Sequence, residues 1–307
     1  MSESSDNSMN GQGGEPNGTR NRHRIRGVIA LPPLPRHSQQ LLSLLVDPDL
    51  DILQLIELIE QTPALAARIM GIASSAYFHT PKPAQNITDA VMRLLGLNLV
   101  RDISISLILS QPFSVSNCAQ FDQTFYWKHA MMVATLAQLL APLATEGAAD
   151  ELRPAYLAGL LHSLGMLVLA DVAPEGLDEA LKRRAEEPSR SLCTIQREIL
   201  GIDYTAAGGE VAIAWGLPTP FTMAMIAHRD SGYSGPFAGL AALIRVADCL
   251  AKAQLRDLDP AACETSIADE LHTLGIGSEG LHRALERWQQ RVENIEQLAR
   301  ALVGVGR

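Results

Sequence analysis

Three histidines and one aspartate stand out because each lies within an apolar helical segment. They are His129 in FYWKHAMM, His162 in GLLHSLG, His228 in MAMIAHRD and Asp248 in LIRVADCLA. Imidazole nitrogens and carboxylate oxygens are common protein ligands of divalent metal ions. The four are far enough apart in the chain to come from four helices, and metal sites in helical bundles are built in this way. These residues are the candidate metal ligands.

A histidine in an apolar helix has a second explanation. Buried imidazoles are often neutral and hydrogen-bonded within a core, without any metal. For His162 this interpretation predicts a hydrogen bond to a neighbouring helix. Spacing alone does not separate the two explanations, because a helical protein of this length offers several such quartets by chance.

Other kinds of site find less support. The chain contains no G-x-S-x-G, P-loop or G-x-G-x-x-G motif. Residues 87–104 have the pattern of a helix-turn-helix with Gly96 in the turn and Asn98 and Arg101 as base-reading donors. A net charge of −9 and a pI near 5.4 disfavour binding to nucleic acid, so two packed helices are the alternative for this segment.

The elements that position these residues are predicted to be helices. Hydrophobic residues make up 47% of the chain, aromatic residues only 5%, and leucine and alanine dominate. No sustained alternation typical of strands occurs. Asp49, Thr62 and Thr88 are the predicted N-caps of early helices. The apolar period predicts helices at 37–46, 50–60, 63–78, 88–95, 97–111, 121–142, 154–171, 175–186, 191–200, 205–215, 219–229 and 236–254, with two or three more in 260–304.

The predicted organisation is a tail followed by one domain. Residues 1–27 are polar and predicted to be disordered, ending in an arginine cluster, RNRHRIR, that is either a solvated charge run or a contact for an anionic partner. Residues 28–304 are predicted to form an all-α domain in which an N-terminal helical lobe packs on a bundle. The longest apolar run, 155–170, is too short for a membrane span, so we expect no span and a cytoplasmic protein.

Several motifs in order resemble a known family. The segments WKH, GLLHSLG, WGLP, IAHR and VAD resemble the HD superfamily of metal-dependent phosphohydrolases. The segments LPPLP, QTPALAARIMGIASSAYF, ITDAVMRLLG, FYWKHA and AYLAGLLHSLG are more closely similar to the HDOD family of bacterial signalling modules. This resemblance covers about residues 28–250. It implies an all-α multi-helix domain that acts in regulation, usually without demonstrated catalysis.

Two positions depart from the family pattern. The doublet that names the HD superfamily is His-Asp, whereas this chain has His162-Ser163. A neutral hydroxyl is a weaker ligand than a carboxylate, so the site loses a charge and a strong oxygen donor. The family's Asn-Ser is here Ser74-Ser75. Turnover is therefore not expected, although weak binding of one divalent ion by His129, His162 and Asp248 stays open.

The sequence thus predicts a non-catalytic bacterial signal-transduction protein that binds a protein partner, with a small nucleotide as a candidate ligand. No cofactor is expected. The first alternative is an HD-type metal-dependent phosphohydrolase with a degenerate His-Ser doublet. The second is a DNA-binding regulator that uses residues 87–104 and the arginine cluster.

Overall fold

The described part of the chain folds into α-helices. The computed structural model describes residues 32–45, 49–75, 82, 84–256, 263 and 265–303, and these contain no strand. This confirms the predicted all-α class. The predicted disordered tail, with its arginine cluster, lies outside the described residues.

We call the first five helices the N-terminal lobe. They are α1 (Arg36–Leu45), α2 (Ile52–Glu60), α3 (Pro63–Ala73), α4 (Ile87–Asp89), which continues as a π-helix over Ala90–Leu95, and α5 (Leu97–Ser110).

Two predicted N-caps of the lobe were wrong. The cap of α2 is Asp51 rather than Asp49, and its side chain accepts from the backbone N–H of Gln54 while Gln54 accepts from the N–H of Asp51. The cap of α4 is Asn86 rather than Thr88. Thr62 does precede α3, with Pro63 at the first helical position, as predicted.

We call the remaining helices the bundle. They are α6 (Gln123–Leu140), α7 (Ala149–Leu152), α8 (Ala155–Leu161), α9 (Leu164–Val172), α10 (Pro174–Glu186), α11 (Leu192–Leu200), α12 (Tyr204–Ala214), α13 (Thr219–Ala227), α14 (Ala238–Leu255), α15 (Ala268–Leu274) and α16 (Ser278–Val303). Short 3₁₀ turns cover Ala141–Leu143, Glu146–Ala148 and Thr265–Ile267.

Helix α6 is the centre of the bundle. It packs against α8, α14 and α16, and most of its side chains after Phe125 are buried. The C-terminal helix is anchored to it by Trp288, which is fully buried and donates its indole N–H to the carbonyl of Met132. Because α6, α8 and α14 contact one another, polar side chains on their facing sides must meet inside the bundle.

The predicted helix 154–171 is interrupted at the His162-Ser163 doublet. His162 ends α8, and Ser163, with φ −108° and ψ 17°, precedes α9. Neither glycine nor proline causes the break. By length and hydropathy alone Ala155–Val172 could cross a membrane, but 83% of it is buried within the protein, as in the core helix of a folded domain.

Two glycines allow the close helix contacts around the doublet. A Cβ atom on Gly159 of α8 would lie 2.5 Å from the Cα of Ala134 on α6. A Cβ atom on Gly165 of α9 would collide with the carbonyl of Tyr204 on α12. Backbone atoms cannot move aside as a flexible side chain can, so both crossings require glycine.

Replacing Gly159 by alanine tests the tighter constraint on the site. We expect Gly159→Ala to lower the free energy of unfolding by about 3 kcal/mol, because α8 must move away from α6. Gly277→Ala is the control, since a Cβ at Gly277 meets nothing within 4 Å. Urea unfolding followed by circular dichroism measures both, and equal stability of the two variants would show that the α6–α8 crossing is not tight.

Candidate functional site

Three of the four candidate residues converge inside the bundle. His129 comes from α6, His162 from the end of α8 and Asp248 from α14. One donor atom of each lies within 4.8 Å of the other two. The Nε2 atoms of His129 and His162 are 3.1 and 3.5 Å from Oδ1 of Asp248. We call these three residues the His-Asp cluster.

The protonation of His162 follows from its hydrogen bond. Its Nδ1 lies 2.7 Å from the carbonyl of Gly159, and because a carbonyl only accepts, Nδ1 carries the hydrogen. Nε2 is the ring nitrogen that faces Asp248. The hydrogen-bond partner of His162 lies in the same helix, whereas the sequence predicted a partner in a neighbouring helix.

His129 also faces Asp248, and its own ring is neutral. Burial lowers the pKa of His129 to about 4, although the charge of Asp248 opposes this shift. None of the three facing atoms, Nε2 of His129, Nε2 of His162 and Oδ1 of Asp248, is in hydrogen-bond geometry with another described atom. The cluster therefore contains buried polar atoms directed at one another without a mutual hydrogen bond.

His228 lies beside the cluster but its ring nitrogens are already engaged. The ring is 5.1 Å from that of His162, measured between centroids. Its Nδ1 donates to the carbonyl of Ala224 at 2.8 Å, and its Nε2 accepts from the Tyr204 hydroxyl at 3.0 Å. Burial lowers the pKa of His228 to about 3, so the ring is neutral. In this arrangement His228 has no free nitrogen for a metal.

Two cations that the sequence analysis did not select hold the other oxygen of Asp248. The ammonium of Lys252 lies 2.7 Å and the guanidinium of Arg229 lies 3.0 Å from Oδ2. Burial alone raises the pKa of Asp248, but the positive charge of Lys252 is the largest of the opposing effects, which together place that pKa well below its usual range. Asp248 is therefore ionised and bound to two positive charges.

The donor set and the charge of the site give opposite indications about a divalent ion. Two imidazoles and one carboxylate at this spacing resemble the ligands of one ion. The site, however, already contains two cations for one carboxylate, and Asp248 is buried, with 0% solvent exposure. A divalent ion would add two further positive charges beside it. Uncompensated buried charge costs several kcal/mol. Because positive charge already exceeds negative charge at the site, these residues do not fit a resident divalent ion.

Ser163 occupies the second position of the doublet. Its side chain is buried, and its hydroxyl lies beside the hydroxyl of Tyr126. Burial raises the pKa of Tyr126, and the nearby Ser163 lowers it only in part. Ser163 therefore supplies no negative charge to offset Lys252 and Arg229. Ser75, in the other departing pair, has a buried hydroxyl without a described partner.

The candidate helix-turn-helix is mostly packed. Ala90–Leu95 is a π-helix, and in α5 Val100 and the run 103–109 are buried. Arg101 lies 3.9 Å from the carboxylate of Asp102. A recognition helix needs an exposed row of donors, so this packing favours the interpretation as two structural helices.

The architecture is similar to that of solved bacterial proteins. One is a "Putative signal transduction protein" from Marinobacter aquaeolei VT8, with a TM-score of 0.81, 26% identity and coverage of 94% of this chain and 67% of that one. Another is an HDOD domain protein from Geobacter sulfurreducens, with a TM-score of 0.72, 22% identity and coverage of 92% and 97%. A "Putative phosphohydrolase" from Shewanella amazonensis SB2B has a TM-score of 0.71, 21% identity and the same coverage.

Sequence comparison agrees with the structural likeness. A curated protein of Treponema pallidum (strain Nichols) is 26% identical over 205 residues, which is 65% of this chain and 38% of that protein. The chain thus spans well under half the length of this relative. The model of the family described as HDOD domain matches residues 31–231. This match covers well over half of the 307 residues, and the chain belongs to the HDOD family.

Proposed function

We propose that this protein is a non-catalytic regulator of a bacterial signalling pathway that acts in the cytoplasm by binding a protein partner. Membership of the HDOD family and the likeness to a protein named for signal transduction support a signalling role. We infer the absence of catalysis from the His-Asp cluster.

One observation carries this part of the proposal: Oδ2 of Asp248 is bound by Lys252 and Arg229. A metal-dependent hydrolase needs carboxylates that neutralise the ion and help it to activate water. Here the one carboxylate of the cluster is neutralised by side chains of the chain itself. Ser163 provides no second carboxylate. The cluster then serves, together with Arg229 at the end of α13, as a polar network that joins α6, α8, α13 and α14.

Binding to a protein partner is supported by exposed apolar side chains. Leu53 on α2, Met92 in the π-helix and Ile213 on α12 are 65%, 60% and 62% exposed. Exposed apolar patches mark protein-binding surfaces, and methionine is enriched in the interfaces of complexes. A small nucleotide remains a candidate ligand within this proposal.

The alternative function is an HD-type metal-dependent phosphohydrolase. The convergence of two imidazoles and one carboxylate favours it, as does the name of the Shewanella amazonensis protein of the same fold. It requires an ion to bind beside Lys252 and Arg229 and to act without the aspartate of the doublet.

Hydrolysis assays distinguish the two functions. We expect the full chain, with Mg²⁺, Mn²⁺ or Zn²⁺, to hydrolyse neither cyclic dinucleotides, nucleoside triphosphates nor simple phosphate esters above the buffer rate. The matched control is His162→Ala, which removes one donor atom. Metal-dependent turnover that is lost in His162→Ala would establish the hydrolase and refute the non-catalytic proposal.

Changing the charge of the cluster tests the reason for the missing activity. We expect the double variant Ser163→Asp, Lys252→Met to be several kcal/mol less stable than wild type without metal, because it buries a carboxylate that lacks a partner. Mn²⁺ at 100 times its dissociation constant should restore about 2.7 kcal/mol. Thermal unfolding with and without Mn²⁺ measures the rescue, and wild type should show little.

Adding His129→Ala to the double variant is the control, and it should abolish the rescue. Equal stabilisation of wild type by Mn²⁺ would contradict the account, because Lys252 and Arg229 would not then exclude an ion. Absence of rescue in the double variant would show that the donor atoms do not form a usable site even after the charge is corrected.

A further inference from the structure

A cavity of about 450 Å³ lies between the N-terminal lobe and the bundle, apart from the His-Asp cluster. Its walls come from α3, the π-helix and α5 on one side and from α6, α8 and α16 on the other. Small-molecule sites have volumes of about 300–1,000 Å³, and a water molecule takes about 30 Å³. The space is therefore far larger than an ordinary packing defect.

The lining changes from apolar to polar across the cavity. Ile103, Met131 and Leu298 are almost fully buried. Gln138 and Arg291, in contrast, are exposed and mark the open side. Such a gradient suits a molecule with an apolar body and one polar end.

Arg291 determines the charge of that polar end. It is the one charged side chain among the described residues that line the cavity, so the lining itself offers it no carboxylate. A guanidinium binds carboxylate or phosphate through paired hydrogen bonds. One cation matches one anionic group, whereas a polyphosphate or a cyclic dinucleotide would bring more negative charge than this lining balances.

The π-helix gives an independent indication that this wall has a role. Leu95, its last residue, lines the cavity, and Gly96 follows at φ 79° and donates its N–H to the carbonyl of Val91. π-Helical turns are rare, less regular than α-helix, and frequent at functional sites. The irregular segment thus lies on the wall of this cavity.

We propose that this interlobe cavity binds a monoanionic amphiphile, a medium-length alkyl chain with one terminal carboxylate or phosphate, with the anionic group on Arg291. The alkyl chain would contact α5 of the lobe and α6 and α16 of the bundle together. Occupancy would therefore couple the two halves of the domain. This site does not depend on whether the His-Asp cluster is catalytic.

Calorimetric titration of the full chain with decanoate tests the proposal. Saturable binding is expected below the concentration at which decanoate forms micelles. Decanol, which has the chain without the charge, and acetate, which has the charge without the chain, should each bind at least tenfold more weakly. Decanol binding as tightly as decanoate, or no saturable binding of decanoate, would overturn the proposal. Decanoate and decyl phosphate together distinguish the two headgroups.

Two variants locate the binding in the cavity. Arg291→Gln should weaken decanoate binding about tenfold, while Arg287→Gln, one helical turn away and exposed, should leave it unchanged. Leu99→Trp, which puts a larger side chain into a half-buried wall position, should abolish binding. If Leu99→Trp does not fold, the comparison of Arg291→Gln with Arg287→Gln tests the location of the binding site. Equal affinity of wild type and Arg291→Gln would refute the assigned headgroup site.

Failure of the proposed amphiphile binding is distinguishable from failure of the proposed function. Decanoate binding concerns Arg291 and Leu99, whereas turnover and metal rescue concern His129, His162, Ser163 and Lys252. Either result leaves the other in place.

Discussion

The buried carboxylate of Asp248 is the constraint on which the site depends. A carboxylate at 0% exposure must be paired or protonated, and here Lys252 and Arg229 pair it. Lys252 comes from the same helix, one turn later, and Arg229 from the residue directly after His228. The pairing therefore joins α14 to the end of α13, and it keeps Asp248 ionised at neutral pH while burial keeps His129 neutral.

The architecture around Asp248 follows from close helix crossings. Gly159 brings α8 against α6, so that His162 and His129 reach the same carboxylate. The chain breaks at Ser163, and Gly165 then lets α9 approach α12, whose Tyr204 donates to His228. The polar side chains that these crossings bring together are buried and come from different helices. A network of this kind favours one arrangement of the bundle over its alternatives, whether or not an ion is bound.

Much of this arrangement could be predicted from the sequence, and there are physical reasons why the other features could not. The order of the motifs around His129, His162 and Asp248 identified residues that the fold does bring together. Lys252 was missed because a lysine near a helix end is usually solvated, although its four-residue spacing from Asp248 was a usable signal. The break at Ser163 and the π-helix have no local sequence marker, since the apolar period continues through both and tertiary packing determines them.

Nitrogen NMR of the imidazoles, recorded on the full chain with ¹⁵N-labelled histidine during a Zn²⁺ titration, tests the central claim most directly. The account predicts that at pH 7 His162 and His228 carry hydrogen on Nδ1, and that the Nε2 resonances of His129 and His162 do not change when Zn²⁺ is added. Side chains, and not a metal ion, then compensate the charge of Asp248. Saturable Zn²⁺-induced shifts at both Nε2 atoms would contradict this account and show that the His-Asp cluster binds a metal.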